Sequence, residues 1–376
     1  MGCLNKLPAN NPPNIVGEHD NRNTPHTGTL TLLIKYYQRA FSMNNPFSAP
    51  YIIAEIASSH DGDPSLAGDI LDHCIETGAN AVKFQIFRRD HLMSPHHPGF
   101  DNFGEIEIAW PDWHPLLRRA AESPLDLIVE AFDEQSLQLV ETLGCVSAYK
   151  LPTSDIANPP FMAAVIATAK PFMIGVGGAT NAEIEAAVEQ VHRAKRQAVL
   201  LHGFQSYPTQ LPDTNLARLK YLSGFGLPVG YADHIDAEDR DLARLVPAMA
   251  LGAGATVIEK HITDDRSRKG RDHYSALNPD EFKSFVSLIR QLFVAIGNES
   301  PDLTEPELRY RHNMKRQAVA GRSIEAGTRI DYDHVDFKRT DEAGIGYRDF
   351  ANVVGQRLKS DKQSNDPIRV EDLSNE

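Results

Sequence analysis

The sequence predicts an α/β protein whose main part is a (β/α)8 TIM barrel, followed by a small, mostly β domain. Three observations favour this fold class. From Tyr51 onward, eight short runs rich in β-branched residues alternate with amphipathic helical segments over about 250 residues, the size and count of such a barrel. No glycine-rich dinucleotide fingerprint follows the first run, which weighs against the competing doubly wound open sheet. Past residue 298, short alternating runs with turn signals replace this pattern.

The predicted strands are separated by segments with helix start and stop signals. The strands are Tyr51–Ala57, Ala81–Phe87, Leu127–Phe132, Ala148–Leu151, Phe172–Val176, Ala198–His202, Val229–Ala232 and Thr256–Glu259. Proline or an acidic residue opens most helices, and glycine closes several, as at Gly78, Gly144 and Gly252. The predicted helices include Pro64–Glu76, Glu134–Leu143, Asn181–Ala194, Asp239–Leu251 and, after the eighth strand, Pro279–Ile296.

The two ends of the chain differ from the barrel segment, residues 50–298. Residues 1–49 are rich in Asn, Pro, Thr and His, and we interpret them as a disordered or misassigned leader, with Met43 as an alternative start. Residues 299–316 are predicted to form a polar linker with two prolines. Residues 317–376 are predicted to form the C-terminal domain, whose size of about 60 residues is marginal for a domain on its own. Its predicted strands are Ala318–Ala320, Glu325–Thr328 and Val335–Lys338.

The bulk composition argues against several classes of function. A net charge of −13 without a basic stripe argues against nucleic-acid binding, although a few local lysines still suffice to bind a small anion. Three cysteines are too few for a disulfide scaffold and suit a reducing compartment. No apolar run approaches the roughly 20 residues that a membrane helix needs. We therefore predict a cytoplasmic protein that binds neither nucleic acid nor membrane.

Two histidines stand just past two consecutive predicted strands. His234 follows the seventh strand and His261 the eighth, and each adjoins a carboxylate, Asp233 or Glu259. A lone histidine is more often a hydrogen-bonded core or surface residue. Two at equivalent positions of a parallel barrel, however, converge at the carboxyl ends of the strands, where neutral imidazoles can bind a divalent metal. The sequence therefore predicts a metal site at this rim.

Two lysines lie within predicted strands. In the second strand, alternation places Lys83 and Gln85 on one face and apolar residues on the other. Lys150 lies in the fourth strand and is followed by hydroxyl and acidic side chains, Thr153, Ser154 and Asp155. Inward lysines with hydroxyls form a cradle for phosphate or carboxylate. The alternative is that each ammonium extends to solvent at the strand end.

Further polar residues follow other strands. Glu55 lies among apolar neighbours in the first strand, and such a carboxylate must be paired or functional because burying it alone is costly. His202 and Tyr207 follow the sixth strand and supply more polar groups. Asp272 lies in the loop after the eighth strand, where a solvated surface loop is the alternative.

Six motifs together resemble the sialic acid synthase (N-acetylneuraminate synthase) family. Their order and spacing hold from about Tyr51 to Ile368, and the C-terminal segment resembles that family's antifreeze-like (SAF) domain. The motifs are Ile53-Ala-Glu-Ile, Ala79-Asn-Ala-Val-Lys-Phe-Gln, Tyr149-Lys, Ser206-Tyr-Pro-Thr, Val229-Gly-Tyr-Ala-Asp-His and Val257-Ile-Glu-Lys-His-Ile-Thr.

The resemblance implies a metal-dependent enzyme. Such an enzyme condenses phosphoenolpyruvate with an open-chain N-acylated hexosamine, such as N-acetylmannosamine, to give a nine-carbon ulosonic acid and phosphate. It implies that His234 and His261 hold Mn²⁺ or Mg²⁺. It also implies a homodimer in which each SAF domain caps the partner's barrel and contributes one arginine, whose position here is Arg339.

The resemblance also implies roles for individual residues. It implies that phosphoenolpyruvate is bound by Lys83, Lys150, Thr153 and Gln205. It implies that the sugar and its aldehyde are bound by Glu55, Gln85, Asp155, Tyr207, Asp272 and Arg339. Glu259 or Glu55 would position or deprotonate the water that quenches the charge at the enol carbon. The predicted catalytic residues are therefore Glu55, Glu259 and Asp272.

The sequence departs from the family at several positions near the anion. Relatives carry Ser-Thr-Gly-Met where this chain has Gly175–Gly178, serine where it has Ala232, and Ser-Gly where it has Thr153-Ser154. Gln205 stands where Asn or Ser is common. Two other functions therefore stay open: another phosphoenolpyruvate-dependent aldol-type synthase, and a non-catalytic sugar- or phosphate-binding homologue. The SAF-like segment argues against the first, and the retained acids, lysines and histidines argue against the second.

Overall fold

The computed structural model of the protein describes residues 49–204, 206–298 and 300–375. The chain divides after Gly297 into an N-terminal and a C-terminal unit, each with its own hydrophobic core. The predicted leader lies outside the described residues except for residue 49. No helix in the described part of the chain is long and apolar enough to cross a lipid bilayer.

The N-terminal unit is a closed barrel of eight strands, each parallel to its neighbours in chain order. This arrangement confirms the predicted fold class and excludes the open sheet. The strands are β1 Tyr51–Glu55, β2 Ala81–Ile86, β3 Asp126–Ala131, β4 Ala148–Leu151, β5 Phe172–Gly175, β6 Ala198–His202, β7 Val229–Asp233 and β8 Val257–His261.

Helices connect the strands. They are α1 Pro64–Glu76, α2 Arg89–Leu92, α3 Phe100–Ile106, α4 Trp110–Glu122, α5 Glu134–Glu141, α6 Pro159–Ala167, α7 Asn181–Ala194, α8 Leu211–Thr214, α9 Ala217–Ser223, α10 Leu242–Gly252 and α11 Pro279–Ile296. The bounds predicted for α1, α7 and α11 are correct. The side chains of Asp63 and Thr180 cap the N-termini of α1 and α7, and at the start of α11 the Glu281 carboxylate accepts a hydrogen bond from the Asn278 amide. Helix α10 begins at Leu242 instead of Asp239, since the preceding residues form turns.

Alternation along the strands separates the two faces of the barrel wall. The outward side chains pack against the helices in the main hydrophobic core. The inward side chains form a separate apolar cluster that includes Tyr51, Ile53, Ala81, Ile128, Ala148 and Val257. Two residues further along the same strands, the inward side chains are charged: Glu55, Lys83, Glu130, Lys150 and Glu259. The charged layer therefore lies on the carboxyl side of the apolar cluster, where barrel active sites form.

The C-terminal unit contains helix α12 Glu305–Met314, two two-stranded antiparallel sheets and helix α13 Tyr347–Phe350. One sheet pairs β9 Gln317–Ala320 with β10 Val335–Lys338, and the other pairs β11 Arg357–Leu358 with β12 Leu373–Ser374. Helix α12 lies within the predicted linker and begins with a capping box formed by Thr304 and Glu307.

The strand predicted at Glu325–Thr328 is wrong. These residues form a turn in which Gly327 has φ +80° and the Thr328 amide donates to the Glu325 carbonyl at 3.2 Å. The positive φ of Gly327 is incompatible with an extended strand. The predicted strands at Ala318–Ala320 and Val335–Lys338 are present within β9 and β10.

Candidate active site

The charged layer inside the barrel is centred on Lys83, which is fully buried. Its Nζ lies 2.6 Å from Glu130 Oε2, 3.1 Å from Glu259 Oε2 and 3.2 Å from Glu55 Oε2. Strands β1, β2, β3 and β8 supply these four side chains. A buried ammonium needs such partners because an unpaired charge in the barrel interior would be very costly.

Lys150 extends the same cluster toward the surface. Its Nζ lies 3.0 Å from Glu259 Oε1 and 3.3 Å from Glu130 Oε2. Glu259 therefore contacts one lysine with each carboxylate oxygen, and Glu130 contacts both lysines with a single oxygen. We call Glu55, Lys83, Glu130, Lys150 and Glu259 the charged floor.

The surroundings shift the pKa values within the charged floor in opposite directions. Burial raises the pKa of Glu55 from 4.5 to about 8, and the ammonium of Lys83 opposes this only in part. Burial also opposes ionisation of Glu259, but the ammonium groups of Lys150 and Lys83 outweigh it and lower its pKa to about 2. At neutral pH, Glu259 is therefore ionised and Glu55 is mostly protonated.

The raised pKa of Glu55 predicts a pH dependence of stability. Between about pH 4.5 and 8, the native state holds a proton on Glu55 that the unfolded chain has released, so the free energy of unfolding decreases as pH rises. Glu55→Gln removes this titration. We expect the wild-type protein and the variant to have similar free energies of unfolding near pH 4.5. Between that pH and about pH 8, the wild-type protein should become progressively less stable than the variant.

Urea unfolding followed by tryptophan fluorescence measures this difference. Both tryptophans, Trp110 and Trp113, lie in helix α4, so the signal reports on the barrel unit. The surface variant Glu185→Gln on α7 should show no such divergence. A constant difference between wild type and Glu55→Gln across this pH range would contradict the prediction.

The two predicted metal-binding histidines are brought together at the carboxyl rim. The ring centroids of His234 and His261 are 5.1 Å apart, and the rings are nearly perpendicular. The Nδ1 of His234 lies 3.0 Å from the Phe204 carbonyl oxygen and can donate a hydrogen bond to it, which leaves Nε2 with its lone pair. The Nδ1 of His261 is buried and has no hydrogen-bond partner among the described residues. Burial lowers the pKa of both imidazoles, that of His234 to about 4.

These two imidazoles fit a divalent cation in type and protonation state. Neutral imidazole nitrogen is a ligand for several divalent metals, and a hydrogen bond from Nδ1 to a carbonyl is typical of metal-binding histidines. The described residues contain no group of three or more His, Cys, Asp or Glu side chains that could hold a metal. A cation at His234 and His261 would therefore take its remaining ligands from water or substrate.

One carboxylate predicted beside this site points elsewhere. Asp233 is fully buried on the outer face of the barrel wall, where its Oδ2 lies 2.5 Å from Lys260 Nζ. Because side chains alternate along a strand, Asp233 and His234 leave the strand end on opposite faces. Asp233, although adjacent to His234 in the sequence, therefore contributes no carboxylate to the predicted metal site.

A pocket with about 850 Å³ of empty space, part of it open to solvent, lies above the charged floor. Its lining includes Phe103, Phe132 and eight predicted site residues: Gln85, Lys150, Thr153, Tyr207, His234, Glu259, His261 and Asp272. The Tyr207 ring contacts both histidine rings, with centroids 4.6 Å from His234 and 5.8 Å from His261. Asp272 Oδ2 accepts a hydrogen bond from the Ser58 amide at 2.9 Å, which joins the loops after β8 and β1.

Other predicted residues lie outside the pocket lining. Glu55 and Lys83 are fully buried in the charged floor. Asp155 accepts hydrogen bonds from the Ser154 hydroxyl at 2.8 Å and the Asn158 amide at 3.0 Å, so its carboxylate stabilises its own turn. Arg339 follows β10 in the C-terminal unit. Gln205 lies outside the described residues.

His202 also differs from its prediction. It is buried on the outer face of β6, where its Nε2 lies 2.9 Å from the Thr214 carbonyl oxygen. This contact anchors the end of helix α8 to the barrel. His202 therefore supplies no polar group to the pocket.

Glu130 lines the pocket but was missed in the sequence. The signal was present, because Glu130 follows Ile128 by two residues in a strand whose inward face is otherwise apolar. The predicted strand Leu127–Phe132 contains this one carboxylate, and alternation with Ile128 places it on the inward face.

Gly175, which stands where relatives carry serine, and Gly177, where they also carry glycine, are needed for close packing. A Cβ on Gly175 would lie 2.5 Å from Thr153 Oγ1, so the threonine hydroxyl fills the space beside this glycine. A Cβ on Gly177 would overlap the Gly203 carbonyl oxygen. Strands β4, β5 and β6 thus approach one another closely at the pocket rim.

Comparisons with known proteins agree with this architecture. A model of the NeuB family matches residues 70–301, and a model of the SAF domain matches residues 315–374. The N,N'-diacetyllegionaminic acid synthase of Legionella pneumophila is 31% identical over 328 residues, which cover 82% of this chain and 90% of that protein. The N-acetylneuraminate-9-phosphate synthase of Homo sapiens is 28% identical over 340 residues, covering 86% and 93%. The crystal structure of the N-acetylneuraminic acid synthetase from Leptospira borgpetersenii is 26% identical, with a TM-score of 0.65, covering 71% of this chain and 93% of that one.

Proposed function

The chain belongs to the NeuB family and carries a SAF domain, and from this premise we propose that it is a nonulosonic acid synthase. The proposed reaction condenses phosphoenolpyruvate with an open-chain N-acyl hexosamine, such as N-acetylmannosamine, and releases phosphate. The observation that carries the proposal is the pocket itself, in which Lys150, Glu259 and two neutral imidazoles line one cavity.

The lining of the pocket suits both substrates. Lys150 and Thr153 offer an ammonium and a hydroxyl to the anionic groups of phosphoenolpyruvate. Gln85, Tyr207 and Asp272 offer hydrogen-bonding groups to the hydroxyls and amide of a sugar. The cavity volume of about 270 Å³ is close to the lower end of the range of small-molecule sites.

The bond changes of the proposed reaction can be assigned to this chain's own groups. The C3 carbon of phosphoenolpyruvate forms a bond to the aldehyde carbon, water adds to C2, and the C2–O bond to phosphate breaks. One proton of the water goes to the new alkoxide, and the other goes to the departing phosphate as C2 becomes a ketone. Glu259, ionised with a pKa of about 2, is a weak base that orients the water by accepting a hydrogen bond. Lys150 stabilises the charge of the departing phosphate.

His234 and His261 would hold the divalent cation, Mn²⁺ or Mg²⁺. Once bound, such an ion supplies Lewis acidity to the aldehyde oxygen. The chain's contribution is to keep both imidazoles neutral through burial and to fix the His234 ring through its contact with the Phe204 carbonyl.

The test is phosphate release from phosphoenolpyruvate with Mn²⁺ and a panel of N-acyl amino sugars. We expect release with at least one sugar and none without sugar. Mass spectrometry of the product should show the condensed nine-carbon acid. Binding of phosphoenolpyruvate without release under any of these conditions would favour the non-catalytic homologue instead.

The proposal includes a homodimer in which Arg339 of the SAF domain completes the partner's pocket. Arg339→Ala should then lower kcat/KM for the sugar by about tenfold to a hundredfold, the usual cost of losing hydrogen bonds from a charged donor. Arg348→Ala, an exposed arginine of the same unit, is the matched control. Analytical ultracentrifugation should show that both variants remain dimers. Equal activity of the two variants would argue against a role for Arg339.

A further inference from the structure

Glu130 contacts both lysines of the charged floor. A single oxygen, Oε2, lies 2.6 Å from Lys83 Nζ and 3.3 Å from Lys150 Nζ. The side-chain amide of Gln85 donates to the same oxygen at 3.5 Å. Three donors from strands β2 and β4 thus converge on one carboxylate oxygen at the base of the pocket. Convergent donors of this kind are how proteins bind a phosphate or carboxylate of a ligand.

No ammonium or guanidinium group in the described part of the pocket lining is free of a carboxylate contact. Among the described residues that line the pocket, Lys150 is the only lysine or arginine, whereas three carboxylates line it: Glu130, Glu259 and Asp272. Lys150 already contacts Glu130 and Glu259. An anion that contacts this ammonium closely also approaches both carboxylates, and the repulsion between these like charges favours withdrawal of one of them.

Of these two carboxylates, Glu130 is the one that can withdraw. Glu259 contacts Lys83 and Lys150 with separate oxygens, at 3.1 and 3.0 Å. Glu130 contacts both with one oxygen, and its contact with Lys150 is the longer, at 3.3 Å. If Glu130 withdraws from Lys150, Lys83 keeps Glu259 and Glu55 as partners.

We propose that Glu130 is a specificity-determining residue that acts as an internal anion. Its carboxylate holds Lys150 when the pocket contains no ligand anion, and it is displaced from Lys150 when the anion of the substrate binds. The inference rests on the function proposed above for the identity of the substrate, phosphoenolpyruvate. Glu130 thereby lowers the affinity of the pocket for small anions.

Calorimetric titrations of the full-length protein test this proposal. Inorganic phosphate, pyruvate and phosphoenolpyruvate are titrated separately into wild type, Glu130→Gln and the control Glu141→Gln. Glu141 pairs with Lys170 at 2.6 Å, away from the pocket. We expect Glu130→Gln to bind phosphoenolpyruvate at least about tenfold more tightly, because a neutral amide of the same shape no longer competes for Lys150. A gain in affinity for inorganic phosphate would show that the phosphate group of the substrate replaces Glu130, and a gain in affinity for pyruvate would show that the carboxylate does.

Unchanged or weaker binding of all three anions by Glu130→Gln would overturn the proposal. A crystal structure of the wild-type protein with phosphoenolpyruvate provides a test that does not depend on the variant's folding. Glu130 Oε2 should then lie more than 4 Å from Lys150 Nζ. A bound anion with that contact unchanged from 3.3 Å would also overturn it.

The kinetics separate this proposal from the proposed function. If the enzyme turns over, Glu130→Gln should lower the KM for phosphoenolpyruvate, an effect that mere damage to the fold would not produce. Tighter anion binding without turnover on any sugar would support the role of Glu130 and contradict the synthase. If the wild-type protein turns over but Glu130→Gln shows neither tighter anion binding nor a lower KM, the synthase function is supported and the role of Glu130 is contradicted.

Discussion

Replacing His234 with alanine is expected to lower phosphate release by at least about a thousandfold. The change removes one of the two neutral imidazoles that would hold the cation, while the charged floor stays intact. Lewis-acid polarisation of a carbonyl is worth several kcal/mol, and about 1.4 kcal/mol corresponds to tenfold in rate. The measurement is release from phosphoenolpyruvate and the active sugar, together with titration of Mn²⁺ into the protein.

The control for this experiment is His202→Gln. His202 is also a buried histidine at a strand end, but it faces away from the pocket and bonds to the Thr214 carbonyl. We expect this variant to keep its activity and its affinity for Mn²⁺. If His234→Ala retains activity within tenfold of wild type, or binds Mn²⁺ as tightly, the proposed role of the two histidines is wrong.

Lys83→Met is expected to produce the largest loss of stability, about 3–5 kcal/mol in the free energy of unfolding. The substitution keeps the approximate length of the side chain but removes the ammonium that three carboxyl groups contact, at 2.6, 3.1 and 3.2 Å. Breaking a buried ion pair from one side costs this much because the remaining charges stay buried without compensation. Urea unfolding followed by tryptophan fluorescence reports on the barrel, which contains both tryptophans.

The surface variant Arg193→Met provides the comparison. It removes an ion pair with Glu189 on helix α7, in which both side chains are 70% exposed. Such a pair contributes less than about 1 kcal/mol. Adding Glu130→Gln to Lys83→Met should restore part of the lost stability, because it removes one of the uncompensated carboxylates. Similar stability of Lys83→Met and Arg193→Met would show that the charged floor does not need its central ammonium.

The periodicity of the sequence was sufficient to predict the barrel and most of the pocket. Eight apolar runs with helical segments between them leave few other folds, and alternation correctly placed Lys83 and Gln85 on the inner face. Because the carboxyl ends of all strands meet at one rim, His234 and His261 were expected to approach each other, and they do.

The other side-chain contacts of the site depend on loop conformation and strand register, which the hydrophobic periodicity of the sequence does not predict. Asp233 adjoins His234 in the sequence but pairs with Lys260 on the outer face of the barrel wall. Asp155 bonds within its own turn, which follows from loop conformation. The contacts of Glu130 with two lysines join neighbouring strands and depend on the barrel's register, in which Glu130 lies beside both Gln85 and Lys150.

The packing of Thr153 against Gly175 makes these two positions epistatic. A serine introduced at position 175 alone would collide with the threonine hydroxyl, because even its Cβ would come within 2.5 Å of that oxygen. The same serine becomes acceptable only after the hydroxyl of residue 153 has moved away or been removed. Laboratory evolution of this enzyme by single substitutions would therefore discard the serine at position 175, and libraries must vary the two codons together to reach an alternative anion site.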